Sequence, residues 1–283
     1  MRIMLAKPTF SHVTRTAVVI VVLINVSTYM LKTDPALKQP DDDAKIVAYY
    51  QTSGLNKIAS NMALSLFRSV YPEAQVYIHY DTDHIPEGAR GDMTTFNNKH
   101  TDQSVQDCGM HFSTVRAMES YIKRVQKAAS LQPKGWVLLL EDDVWVWTQI
   151  NPRYLRYDVT GTCWATFTPA ISRIILAHSR HHVFKNATCY GAYGGHYVNS
   201  SRVLGLRNYH GFLRALLIAA RGIVPSDLLL SALILGDGGT IGDNPGYYEY
   251  GGVFRPVAAT AHYGPLNILH QMKWLYFMRY IAG

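Results

Sequence analysis

Glu141-Asp142-Asp143 is the group of residues in this chain most able to do chemistry. Five apolar residues, Trp136 to Leu140 (WVLLL), lead into it, and Val144-Trp145-Val146-Trp147 follows at once. Three carboxylates held between two apolar runs repel one another and lose hydration unless something compensates their charge. Carboxylate oxygens suit hard divalent ions such as Mn²⁺ or Mg²⁺, and those ions bridge the phosphates of a nucleotide. The plainer alternative is a solvated turn that caps the next element. The apolar run behind the triplet speaks against it.

Three later stretches add candidates. Tyr190 to Ser201 (YGAYGGHYVNSS) sets Gly191, Gly194 and Gly195 among aromatic rings. Glycine lets backbone approach a ligand closely and Tyr or His faces stack on sugars, although a tight turn between strands explains the same residues equally well. The Gly-Lys-Ser/Thr of a phosphate loop is missing. In Val224 to Leu235 (VPSDLLLSALIL), Ser226 reads as the cap and Asp227 opens an apolar helix. An acid there is either simply stabilised by the helix dipole or available as a general base. Gly236 to Gly252 holds seven glycines and reads as a loop that orders on substrate binding, with Asp237 and Asp243 as runner-up acids. A strand over Val253 to Ala261 ends at His262-Tyr263-Gly264. His270 is the rival to His262, and a structural imidazole is the bland reading of either.

The elements that must position these groups alternate. Lys45 to Tyr50 (KIVAYY) predicts a buried strand ending near Thr52, and apolar spacing over Leu55 to Tyr71 predicts a helix that Pro72 stops. Ala74 to Tyr80 predicts a second strand ending at Asp81, and residues 82–110 read as loop. A helix over Ser113 to Ser130 and the strand Trp136 to Leu140 complete the pattern. This is an α/β order with a mostly parallel sheet, in which ligands bind beyond the strand C-termini. Thr52, Asp81 and the acidic triplet all fall there.

With its strand-EDD-apolar order behind a β–α–β unit, the chain resembles the GT-A-fold glycosyltransferases, whose Asp-x-Asp motif works on nucleotide sugars. The resemblance is at motif level over residues 45–270. It implies a Rossmann-like nucleotide-binding half with a mixed, mostly parallel sheet. It further implies Asp143 and His262 on Mn²⁺ or Mg²⁺, and Glu141 and Asp142 toward the donor sugar and ribose. Thr52 and Asp81 would border the nucleoside. Gly194 and Gly195 would lie in the glycine-containing acceptor loop, and Asp227 would be the base of an inverting transfer. Ser226 stands where that group usually has Glu before the catalytic Asp. The implied substrates are a nucleotide-diphosphate sugar and a glycan or glycoprotein acceptor. Two rivals share these residues: a nucleotidyltransferase or phosphohydrolase, and a non-catalytic tethered sugar-binding protein. The first usually carries a Gly- and basic-rich loop after its first strand, which Gln51-Thr52-Ser53-Gly54 does not supply.

Composition agrees with one catalytic domain. The 283 residues are 48% apolar, which excludes a disordered chain. Three cysteines exclude a disulfide-dense scaffold and lack the CxxC spacing of a zinc signature, Cys163 with Cys189 being the candidate pair. The net charge is +7, but Arg2, Lys7, Arg15 and Lys32 sit around one stretch, Thr16 to Leu31 (TAVVIVVLINVSTYML). The remaining excess is mild and forms no basic run, so nucleic acid is not an expected partner. That stretch is the only one approaching a bilayer span, which excludes a polytopic protein. With basic residues before it and Asp41-Asp42-Asp43 after it, it reads as a type II signal anchor; a cleaved signal peptide is the alternative. The expected layout is a cytosolic tail (1–15), anchor (16–31), stem (32–45) and catalytic domain (46–283) facing the Golgi or endoplasmic reticulum lumen. The sequons at Asn186 and Asn199 suit that compartment.

Overall fold

The computed structural model describes residues 44–52, 57–80, 89, 94–97, 111–161, 165–179, 189–192, 194–251, 255–256 and 267–270. The chain divides into two compact units, Met1–Pro40 and Asp41–Gly283, and every described residue lies in the second. The expected anchor, most of the stem, Asp81, His262, Cys108, Cys163 and the sequon at Asn186 lie outside the described residues. No helix among the described residues is long and apolar enough to cross a membrane.

In chain order, β1 (Ile46–Thr52) leads to α1 (Lys57–Val70), β2 (Val76–Tyr80), β3 (Thr94–Asn97) and β4 (His111–Phe112). Then come α2 (Val115–Leu131), β5 (Trp136–Leu140), β6 (Trp145–Val146), β7 (Val159–Gly161), β8 (Ala165–Thr166) and α3 (Pro169–His178). The last part holds β9 (Cys189–Tyr190), β10 (Tyr197–Asn199), α4 (Ser200–Gly205), α5 (His210–Ala219), β11 (Val224–Pro225) and α6 (Ser226–Gly236). It closes with β12 (Ile241–Asp243), β13 (Tyr247–Gly251), β14 (Arg255–Pro256) and β15 (Ile268–His270).

Among the described residues, seven strands form the main sheet in the order β12-β7-β10-β5-β1-β2-β3. Only β10 runs against its neighbours; the β12–β7, β5–β1, β1–β2 and β2–β3 pairings are parallel. The expected mixed, mostly parallel sheet is therefore present. Strand alternation sorts the core into two layers. Val47, Tyr49, Val137 and Leu139 face the layer built with α2 and α6, while Ala48, Tyr50, Leu138 and Leu140 face the layer built with α1. All eleven residues of α6 are buried, as a helix apolar on every side requires.

Sequence and structure differ in three places. Residues 82–110, read as loop, contribute β3 to the sheet edge, paired with β2. The glycine-rich stretch after α6 supplies β12 and β13, so much of it is ladder where a flexible loop was expected. Of the strand expected over Val253 to Ala261, Arg255–Pro256 is described and pairs with β13. Ser226 is not the cap either. Pro225 holds that position with φ −63° and ψ 151°, and Ser226 is the first residue of α6.

Candidate active site

The sheet changes direction of growth between β1 and β5: β2 and β3 extend one way, and β10, β7 and β12 the other. At such a switch point the connections leave to opposite faces, opening a crevice at the strand C-termini. The register aligns those ends, with Tyr50 opposite Leu140 and Thr52 opposite Tyr80. Thr52 is 1% exposed at the rim.

The acidic triplet leaves β5 at this crevice and links it to β6, which belongs to a separate four-stranded sheet. The Val144 N–H donates to the Glu141 carbonyl at 3.1 Å and closes the turn. Asp142 and Asp143 are only 8% and 7% exposed. Carboxylates so buried are held by hydrogen bonds or ions. The Tyr50 hydroxyl lies 2.7 Å from Asp142 Oδ1, where it donates, and 3.1 Å from the Ser60 carbonyl. Asp142 is thus fastened to β1, on the α1 face of the sheet.

Glu141 meets the glycine turn. A Cβ on Gly194 would fall 2.9 Å from Glu141 Cδ and 3.0 Å from its Oε2, so only glycine leaves that carboxylate its place. Gly195 has φ +85°, the left-handed region, and a Cβ there would meet Ile268 at 2.6 Å and Tyr247 at 2.8 Å. The Tyr247 hydroxyl donates to the Gly194 carbonyl at 3.0 Å. Earlier in the turn, the N–H groups of Gly191 and Ala192 both donate to Ser231 Oγ, at 3.2 and 3.0 Å. Ser231 lies one turn along α6 from Asp227, so one helix carries that acid and holds the turn.

Asp227 is 5% exposed, and its Oδ1 accepts from the Leu228 N–H at 2.7 Å. Tyr121 of α2 feels the charge of both Asp227 and Glu141. Burial above all, then Tyr49, Glu141 and Asp227, push the Tyr121 phenol well above its ordinary value against the pull of Arg124. Tyr121 is therefore a neutral hydroxyl that feels both carboxylates. Beneath it, Arg124 is 4% exposed; its Nε donates to Tyr49 Oη at 3.2 Å and its Nη1 to Ser120 Oγ at 2.8 Å. The Tyr49 hydroxyl donates in turn to Gln51 Oε1 at 3.2 Å. Burial, with Arg124 second, pushes His79 down to about 3, so that imidazole is neutral.

Of the expected site residues, Glu141 and Gly194 are in contact, and Tyr121 lies within electrostatic reach of both Glu141 and Asp227. Asp142 and Asp143 complete the triplet, while Asp81 and His262 lie outside the described residues. Asp237, a runner-up, is removed from this end: it closes α6 and pairs with Arg202 at 3.1 Å. Asp243 is exposed at the end of the edge strand β12. Tyr50, Tyr121, Arg124 and Ser231 escaped the sequence reading. Arg124 was the most findable, since it falls beside the apolar positions Ile122 and Val125 on a helix packed against the sheet.

Among the described residues no group of three or more His, Cys, Asp or Glu side chains could hold a metal ion. The donor chemistry nonetheless fits a small hard cation. Mg²⁺-type ions are commonly held by one or two carboxylates plus substrate phosphates, and Asp143 is a buried carboxylate beside the crevice.

No family model and no curated protein matches the chain. Several solved structures do. The galactosyltransferase LgtC in complex with donor and acceptor sugar analogs is 11% identical with TM-score 0.49, over 80% of this chain and 86% of that one. An active-site mutant of LgtC aligns over the same shares at 10% identity and TM-score 0.49. The bifunctional glycosyltransferase WbbM in its apo form is 9% identical with TM-score 0.44, over 87% of this chain and 51% of that one. At this level of likeness the function is read from the chain's own residues.

Proposed function

We propose that the chain is a nucleotide-sugar-dependent glycosyltransferase of GT-A-like fold, acting on a glycan or glycoprotein hydroxyl. The observation that carries this reading is the contact between Glu141 and Gly194 at the switch point of the sheet. It puts a carboxylate from the acidic triplet against a backbone turn, with aromatic residues around it, in a crevice of the kind that takes nucleotides.

In the transfer, the acceptor oxygen attacks the anomeric carbon as the bond from that carbon to the diphosphate oxygen breaks. Asp227 takes the acceptor proton, and a single displacement inverts the configuration. Tyr121 is a neutral hydroxyl within electrostatic reach of both acids. Asp142, tied to Tyr50, holds the turn so that Glu141 meets the donor sugar. Thr52, with Asp81, borders the nucleoside. When bound, Mn²⁺ or Mg²⁺ would neutralise charge on the departing diphosphate, with Asp143 and His262 as its ligands.

The deciding assay incubates the chain with a panel of UDP- and GDP-sugars, with and without Mn²⁺, and follows nucleotide release. Release from one donor, stimulated by Mn²⁺, is the expected outcome. Asp143→Ala should abolish the stimulation, and Asp227→Asn should lower acceptor-dependent turnover by about 10²–10⁴-fold. Full transfer by Asp143→Ala without metal would sink the metal assignment, and full activity of Asp227→Asn the base assignment. Cleavage of nucleoside triphosphates with no sugar nucleotide used would mark a phosphohydrolase instead.

A further inference from the structure

A cavity of about 440 Å³ opens at the opposite end of α6 from Asp227. The nine residue-to-residue steps from Asp227 to Gly236 span roughly 14 Å of helix. The sheet confirms the separation: β10 delivers the chain to α4 with Asn199 opposite Trp136, the first residue of β5, at the end away from the triplet. The floor is apolar, made by Leu206, Phe212 and Leu233. The rim is polar: His178, Arg207, Asn208, Tyr209 and Asp237.

These rim groups are under-used by the protein itself. Asn208, with φ 52° in the left-handed region, and the Tyr209 hydroxyl make no hydrogen bond to any described residue. Arg207 spends Nη1 on the carbonyls of Leu204 and Leu206, which leaves its Nε and Nη2. His178 engages Ile174 O through Nδ1 at 3.0 Å, which leaves Nε2, and its ring packs edge-on against Phe212 at 5.0 Å. Asp237 gives Oδ2 to Arg202, which leaves Oδ1.

We propose that this basin is an accessory binding site for a saccharide unit, separate from the transfer crevice. The rim mixes donors (Arg207, His178) with an acceptor (Asp237) and two groups that act as both (Asn208, Tyr209). Sugar hydroxyls donate and accept, so they match such a mixture, whereas a simple anion would face the Asp237 carboxylate. An apolar floor under a ring of polar groups is the usual form of a small-ligand pocket, and the half-exposed Tyr209 ring offers a face for a pyranose. The site goes beyond the proposed transferase reading and stands without it, since no residue of the crevice contributes.

The test is a binding titration on the full-length chain in a sugar-free zwitterionic detergent. The probes are methyl pyranosides and disaccharides, with inorganic phosphate as the anionic control. At least one saccharide should bind, and Asn208→Gly and Tyr209→Phe should each weaken it about tenfold or more without moving Tm. Glycine tolerates the backbone of Asn208, and phenylalanine keeps the Tyr209 ring, so neither variant threatens the fold. Asp143→Ala should bind the saccharide as the wild type does. The proposal is overturned if no saccharide binds, if phosphate displaces the bound one, or if both rim variants bind normally. Loss of binding in Asp143→Ala would equally overturn it, by placing the ligand in the crevice. Donor turnover in the rim variants, read alongside, reports on the transferase reading alone.

Discussion

At Gly194 the space a side chain would need is already taken by Glu141 and by Val144, whose Cγ2 lies 2.8 Å from the Cβ position. Gly194→Ala must therefore displace the carboxylate, while its backbone lies outside the left-handed region and accepts alanine. Nucleotide-sugar turnover should fall by about 10²-fold, the usual cost of an ångström-scale misplacement, with Tm little changed; steady-state kinetics and a melting curve check both. His79 carries a different prediction. Its folded pKa of about 3 lies below the unfolded value near 6.5, so the unfolded chain takes up a proton that the folded chain refuses. The stability due to this group is complete above pH 6.5 and is lost as pH falls toward 3, by about 1.4 kcal/mol per pH unit. Denaturant titrations at pH 7, 6, 5 and 4 should show a shallower decline in His79→Gln than in wild type.

Helix α6 joins two parts of the site that lie far apart in sequence. Ser231 Oγ accepts two buried N–H groups, and Ser231→Ala leaves both without that partner, at about 1–3 kcal/mol each. The variant should melt several degrees lower and lose donor affinity more than turnover, because it loosens the glycine turn and leaves Asp227 in place. The elements read well from sequence are those whose signal is local. WVLLL has the bounds of β5, Pro72 ends the region of α1, and Thr114 caps α2, its side chain accepting from the Ala117 N–H. The triplet and the glycine turn were legible for the same reason, as rare residue types at a strand end. Strands β3 and β12 were not, because polar or glycine-rich segments become strands only when a neighbour pairs with them. Arg124, the most findable of the missed residues, stayed hidden for a related reason: its partner Tyr49 comes from β1, and a single Arg in a helix normally reads as solvated. Ser226 reads as an N-cap by type, yet Pro225 already has the extended backbone that position requires.

For the molecule as a whole, the layout proposed from residues 16–31 has a direct test. The full chain should stay with membranes through alkaline extraction, while a chain beginning at residue 46 should be released and keep its donor turnover. The order of the main sheet reaches further than catalysis. Ile46 lies opposite Trp136, so β1 gains its second neighbour only after β2, β3 and α2 have been made. As the chain emerges from the ribosome, Ile46 to Tyr50 therefore presents an unsatisfied apolar edge for the time needed to synthesise everything up to Leu140. Such an edge recruits other chains as readily as its own β5. Yield in cells should thus be governed less by the final stability of the fold than by how well that one edge is shielded while it waits.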